Sequence, residues 1–137
     1  MAWEGFQVIL PGVYSTQDLS SHQFHPVVLS GTDTIAPVST TNAGLDYPIG
    51  ILQNKPSAAG QAAEVCIFGI SKVIMGGTAS YNDLIGNDTG NSGHAVKVTA
   101  SVTTNTNVTW GRVVQGAASS AYATAFVNFA NLQAGTS

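Results

Sequence analysis

Short apolar runs broken by glycine, proline and asparagine recur along this chain about every 8 to 12 residues, and no stretch carries apolar residues at the helical period. That rhythm limits the fold more than any other feature. It predicts an all-β protein, a small β-barrel or β-sandwich, with at most one short helical turn around Tyr81 to Ile85.

The strongest strand signal is Ala63 to Ile70, with Val65 and Ile67 on one face and Cys66, Phe68 and Ile70 on the other. Apolar residues on both faces imply burial on both sides. Gly69 marks a bulge or a close backbone approach, and the strand continues through Lys72 to Met75. Other strands are expected at Phe24–Leu29, Thr34–Val38, Tyr47–Gln53, Ala95–Thr103, Val108–Val114 and Tyr122–Phe129. Pro37 and Pro48 confine their strands to an edge, a bend or a start. In Ala95–Thr103 the alternation turns Val96, Val98, Ala100 and Val102 inward. Trp110 and Phe68 are expected in the core. A chain of 137 residues fits one compact domain and leaves no room for two well-filled cores.

The first 21 residues differ in texture, and the chain divides into an arm and linker, 1–21, and a β-domain, 22–137. Phe6 to Leu10 reads as one short strand ended by Pro11-Gly12, and Ser15 to Ser21 as a polar linker. Trp3, Phe6, Val8, Ile9, Leu10 and Tyr14 are the candidate residues of an arm that docks on another surface. The alternative is that this segment packs as the first strand of its own sheet.

Charged residues make up only 8% of the chain, and the net charge is −3. A nucleic-acid binder needs clustered cations, and a polybasic membrane-surface protein needs them too, so neither partner is expected. Apolar residues at 44% exclude a charge-rich disordered chain. No apolar run approaches the roughly 20 residues of a membrane-spanning helix. The start, Met1-Ala-Trp-Glu-Gly-Phe, lacks the pattern of a secretion signal, so synthesis in a reducing cytoplasm is expected. A surface of Ser, Thr, Asn and Gln tolerates being covered by other protein, because few ions have to be desolvated. The plainer alternative is a Thr/Ser-rich β-domain with few charges.

Reactive chemistry is sparse. His22 and His25 form His-x-x-His without the Glu of a zinc-protease motif, and a loop or sheet-edge pair explains them better than a metal. His94 stands alone in a Gly-rich turn. The single cysteine, Cys66, lies among apolar neighbours as a buried structural thiol. Asp83, Asn87, Asp88 and Asn91 offer oxygen ligands without the spacing of a calcium loop, so turn formation is their default role. Asn87-Asp-Thr and Asn107-Val-Thr match the glycosylation acceptor by chance. No nucleophile elbow, phosphate loop or dinucleotide fingerprint occurs. No catalytic residue, cofactor or metal is expected.

From Pro48 to Phe129 the chain resembles a known family. Pro48-Ile-Gly-Ile-Leu-Gln-Asn-Lys-Pro-Ser-Ala-Ala-Gly-Gln-Ala-Ala-Glu-Val, followed by Phe68-Gly-Ile-Ser-Lys-Val, Asp83-Leu-Ile and Gly111-Arg-Val-Val-Gln-Gly-Ala, is similar to the capsid cement (head decoration) proteins of tailed bacteriophages. The order of these motifs strengthens the match beyond any one of them. Residues 1–21 have no counterpart in the shorter cement proteins, and the loop from Ser80 to Thr106 is unusually rich in Asn, Thr and Gly. The resemblance implies a small barrel-like domain on the outer surface of a virion, often a homotrimer, made in the host cytoplasm. Its partner would be the major capsid protein, whose neighbouring subunits it would bridge against DNA pressure. A ligand- or receptor-binding β-module of a tail or fibre apparatus is the competing reading. A small hydrolase is a third, but it needs convergent polar residues that the sequence does not show.

Overall fold

A computed structural model of the chain describes residues 2–38, 47–87, 94–98 and 109–129. Among these the fold is all-β, with β1 (Gln7–Ser15), β2 (Pro26–Gly31), β3 (Thr34–Pro37), β4 (Gly50–Leu52), β5 (Ala62–Ile74), β6 (Leu84–Asn87), β7 (Ala95–Lys97), β8 (Thr109–Gln115) and β9 (Tyr122–Asn128). The pairing order is β1-β3-β2-β4-β5-β9-β8-β6-β7, with β1 also pairing β5. That extra pairing closes a first ring, β1-β3-β2-β4-β5. A second ring runs β5-β9-β8-β6-β7 and returns to the end of β5 through a bridge between Met75 and Ala95.

β5 belongs to both rings because of its length and its apolar composition on both faces. It is 13 residues long. Cys66 pairs with Ile9 of β1 on one edge and Ile51 of β4 on the other, and from Phe68 to Ile74 the strand pairs with β9. Gly69 sits at the changeover with φ +127°, and a Cβ there would collide with the Phe6 carbonyl oxygen. The close approach expected of this glycine is thus observed, and only glycine permits it.

Two hydrophobic clusters fill the rings, which corrects the expectation of a single core. The first contains Val13, Leu19, Val27, Ile35, Leu52 and Val65. The second is built around Phe24, Val73, Met75, Ile85, Trp110 and Phe129. Both fit in one small chain because each is lined by β5, so one strand supplies wall to two cores.

Other expectations are corrected in detail. β1 does not stop at Pro11-Gly12: Leu10 pairs with Val65 and Val13 with Ala63, so the two residues form a bulge that uses the positive φ of Gly12 (+79°). Ser15 to Ser21 is no bare linker, because Leu19 is fully buried and the Ser15 hydroxyl donates to the Ala58 carbonyl at 2.7 Å. Of the two readings of the first segment, pairing within its own sheet is the one observed. No helical turn forms at Tyr81–Ile85, since Asn82 takes φ 71° and β6 begins at Leu84. In β7 the fully buried residue is Ala95, and Val96 is half-buried. Val98 is half-buried as well, and Ala100 and Val102 lie outside the described residues.

Trp110 is 2% exposed, as expected of a core residue. It is the extra residue of a bulge, since Ile85 pairs with Gly111 and Gly86 with Thr109. Its ring stacks on Phe129 at 5.0 Å, and its Nε1 donates to Asn87 Oδ1 at 2.9 Å. Phe68 is the counter-case: at 36% exposure it lies outside the core. Val8 of β1 pairs with Phe68 and Ile9 with Cys66, which leaves Ile67 as a bulge residue packed on the first core.

Candidate functional site

The outward face of the second ring carries large apolar side chains where a solvated sheet would carry polar ones. On β9 the alternation turns Ala123, Ala125 and Val127 inward, and they are fully buried. The opposite face carries Tyr122, Thr124 and Phe126. The strand therefore shows its bulk to the outside. Register then assembles a row across four strands: Ile70 of β5 is opposite Phe126, Phe126 opposite Arg112, and Arg112 opposite Leu84 of β6. Directly opposed residues share a face. Phe68 meets Phe126 edge to face at 5.2 Å, and Val8 is opposite Phe68.

Phe68, Phe126, Leu84 and Val8 are each between 36% and 42% exposed, so Val8, Phe68 and Phe126 present adjoining apolar surface, with Leu84 beyond the exposed Arg112. Contiguous exposed apolar surface on a soluble domain marks a place where something else binds. Beside the row a groove of about 360 Å³ is lined by Leu84, Thr109, Trp110, Arg112, Phe126 and Asn128. Arg112 is the cation within the row, and its guanidinium donates to Asn82 Oδ1 at 3.0 Å.

The N-terminal residues join this face as a strap. The Gly5 amide donates to the Ile70 carbonyl and the Ile70 amide to the Phe6 carbonyl, along the β1 edge of β5. Two residues earlier the Trp3 amide donates to Thr124 Oγ1 at 2.7 Å, and that hydroxyl donates back to the Trp3 carbonyl at 3.2 Å. Thr124 lies on β9, beyond the other edge of β5, so the strap crosses the outer face of β5 and buries Thr124. Of the candidate arm residues, Trp3, Phe6 and Val8 gather here, with Phe6 the most exposed at 70%. Ile9 is exposed beside them. Tyr14 is exposed at the far end of β1 opposite Ala62, and Leu10 packs against the first core.

Phe68, Phe126, Leu84 and Arg112 escaped the sequence reading as surface residues. The available signal was the small inward set of β9, since a strand whose inner residues are alanines leaves its aromatics on the outside.

The reactive side chains are otherwise engaged. Burial pushes the Cys66 thiol up to about 11, against a smaller opposing effect of a hydrogen bond with the Phe68 backbone. Such a thiol is a poor nucleophile. The Ser80 amide, which donates to Asp83 Oδ2 at 2.9 Å, is the main reason the Asp83 carboxyl lies below its ordinary range, with Lys97 second. Lys97 Nζ is 3.1 Å from Asp83 Oδ1. Asn87 Oδ1 accepts from Trp110, while Asp88, Asn91 and Asn107 lie outside the described residues. Among the described residues no group of three or more His, Cys, Asp or Glu side chains is placed to hold a metal ion.

The histidines differ from their sequence reading in one respect. His94, expected to stand alone, packs its ring on His25 at 5.2 Å, and His25 packs on His22 at the same separation. Burial holds both His22 and His25 below the ordinary histidine range.

No family model matches the sequence, and no curated protein matches it. The structure is similar to that of the N base of the head fibre protein gp8.5 of bacteriophage phi29, with a TM-score of 0.56 and 17% sequence identity. The match covers 93% of this chain and 99% of that one. At that identity the likeness is one of fold.

Proposed function

We propose that this chain is a structural protein of a bacteriophage head, a decoration protein that docks its outward apolar face on the shell and bridges neighbouring major capsid subunits against the pressure of packaged DNA. The observation that carries the proposal is the cross-strand row Ile70–Phe126–Arg112–Leu84 with Phe68 and Val8 beside it, on a chain with only 8% charged residues. Covering such a face releases water from large apolar groups and desolvates few ions. The family resemblance of Pro48 to Phe129 supports the same reading, and so does the fold shared with a phage head-fibre base.

In this role the protein resides on the outer surface of the virion after synthesis in the host cytoplasm. It works as a homotrimer, with no cofactor and no reaction. A standard interface buries about 800 Å² per partner, and three linked copies multiply modest contacts into firm attachment. The strap with Trp3 and Phe6 widens the contact at one side of the row.

The likeness to a head-fibre base favours a second reading, in which the domain is the foot of a fibre or of a receptor-binding module. One experiment separates the two. The purified chain is mixed with heads lacking it and with host cells, and occupancy is counted by electron microscopy and co-sedimentation. The decoration reading expects saturable binding to heads that weakens by about 30-fold in Phe68→Ser or Phe126→Ser and by up to about 1,000-fold in the double variant, as hot-spot losses of about 2 kcal/mol per ring dictate. Binding to cells or glycans with none to heads would establish the second reading instead.

A further inference from the structure

We propose that His22, His25 and His94 form a proton-operated clasp between the loop that leads into β2 and the start of β7, closed when the rings are neutral and opened by acid. The two ends of the clasp come from distant parts of the chain and from different rings of the fold. His25 is its centre, with its ring 5.2 Å from His22 at 59° and 5.2 Å from His94 at 62°. Its Nδ1 lies 3.1 Å from the Gln23 carbonyl, a contact that places a proton on that nitrogen. His22 Nδ1 meets the Ser21 hydroxyl at 3.2 Å.

Both ends bear on the cores. The loop sends Leu19 into the first cluster and Phe24 into the second. Phe24 does so with a positive φ of 66°, its ring edge-on to Tyr122 at 5.5 Å and beneath Lys72 Nζ at 5.4 Å. At the other end, Ala95 follows His94 directly and closes the second ring, where its carbonyl accepts from the Gly76 amide at 2.7 Å.

The charges around the cluster decide the direction of the response. Among the described residues Asp18 is the carboxylate that acts on His22, and it already accepts from the Ser20 amide at 2.9 Å and the Ser20 hydroxyl at 2.6 Å. Lys72 lies over the Phe24 ring and does not act on His22 or His25. The fully exposed Asp18 carboxylate acts on His22 and not on His25, so protonation sets like charges about 5 Å apart in a partly desolvated place. Burial, the larger cause, and the neighbouring rings keep His22 and His25 below the ordinary value. The unfolded chain therefore takes up protons first. The stabilisation is full above the unfolded histidine pKa of about 6.5 and is lost as the pH falls from there towards the lower folded values.

The test is an NMR titration of the native full chain from about pH 8 to about pH 4.5, following the histidine ring C–H signals and the exchange protection of the Gly76 amide. The expected result is that His22 and His25 titrate below about 6.5 with mutually broadened curves, while Gly76 protection falls by about tenfold over the same range. His25→Phe keeps an aromatic ring but cannot take a proton, and it should retain the protection in acid. If that variant does not fold, His25→Gln and the native titration decide. Histidines that titrate independently at or above the ordinary value overturn the clasp. So does acid loss of Gly76 protection with an unchanged midpoint in the variant.

Discussion

The two rings of this fold share a strand yet differ in what they do with bulk. The first ring is filled by aliphatic residues, Val13, Leu19, Val27, Ile35, Leu52 and Val65, with no aromatic in its cluster. Its exposed large residues on β1 and β2 are Val8 and Ile9 near the junction with the second ring, Tyr14 at the far end of β1 opposite Thr34 and Ala62, and Leu29 opposite Ile35. The second ring packs Phe24, Trp110 and Phe129 inside, and its outside sets Phe68 against Phe126 and Leu84 beyond Arg112 in one cross-strand row. Scattered exposed apolar groups are ordinary, whereas an aligned set is a surface for contact. The first ring thus anchors β5, and the second displays the exposed aromatic row.

The hardest blow to this comparison is Trp110→Ala. The substitution opens a cavity against Phe129 and leaves Asn87 Oδ1 without its indole donor. The expected loss is about 3–5 kcal/mol by denaturant unfolding, a large part of a small domain's stability. Because β5 walls both cores, both rings should unfold in one transition. Two separated transitions would show that the rings are independent units.

Next in size is Gly69→Ala, which strikes the junction itself. Here β1 makes its last pair with β5 and β9 takes over the strand. At φ +127° the new Cβ meets the Phe6 carbonyl, so the strap has to lift before the strand can settle. The expected cost is about 2–3 kcal/mol. Lifting the strap should also free Trp3 from Thr124, seen as a red shift of its fluorescence with Trp110 unchanged. A variant with native stability would place the strap off the sheet.

What the sequence disclosed follows from how local each feature is. β5, β8 and β9 were legible because strand-length apolar runs carry their own period, and Trp110 was legible as the large residue of such a run. β1 was cut short because Pro11-Gly12 ends a strand as readily as it forms a bulge, and only the partners Val65 and Ala63 distinguish the two outcomes. Leu19 looked like part of a polar linker because its burial depends on a distant contact, the Leu19 amide donating to the Pro56 carbonyl. The exposed aromatic row is hidden in the sequence for a related reason. Phe68 and Phe126 sit in apolar runs, and which face of such a run is covered is decided by the neighbouring strands. The histidine cluster was invisible in one dimension, since His94 reaches His25 only after the second ring has closed.

The smallest stability effect is also the sharpest discriminator between the rings. Phe68 and Phe126 pack edge to face on each other, yet each keeps more than a third of its surface in water. Serine at Phe68 removes that aromatic contact and some covered area but leaves no cavity in either cluster, since neither contains Phe68. The expected loss on unfolding is below about 1 kcal/mol. The same substitution at an inward position of β5, Val73→Ser, buries an unpartnered hydroxyl in the second core and should cost more than about 2 kcal/mol. The two variants thus separate residues kept for folding from residues kept for contact. A Phe68→Ser chain as unstable as Val73→Ser would mean that the outer row is core in disguise. A stable chain that no longer occupies heads would assign the row to docking.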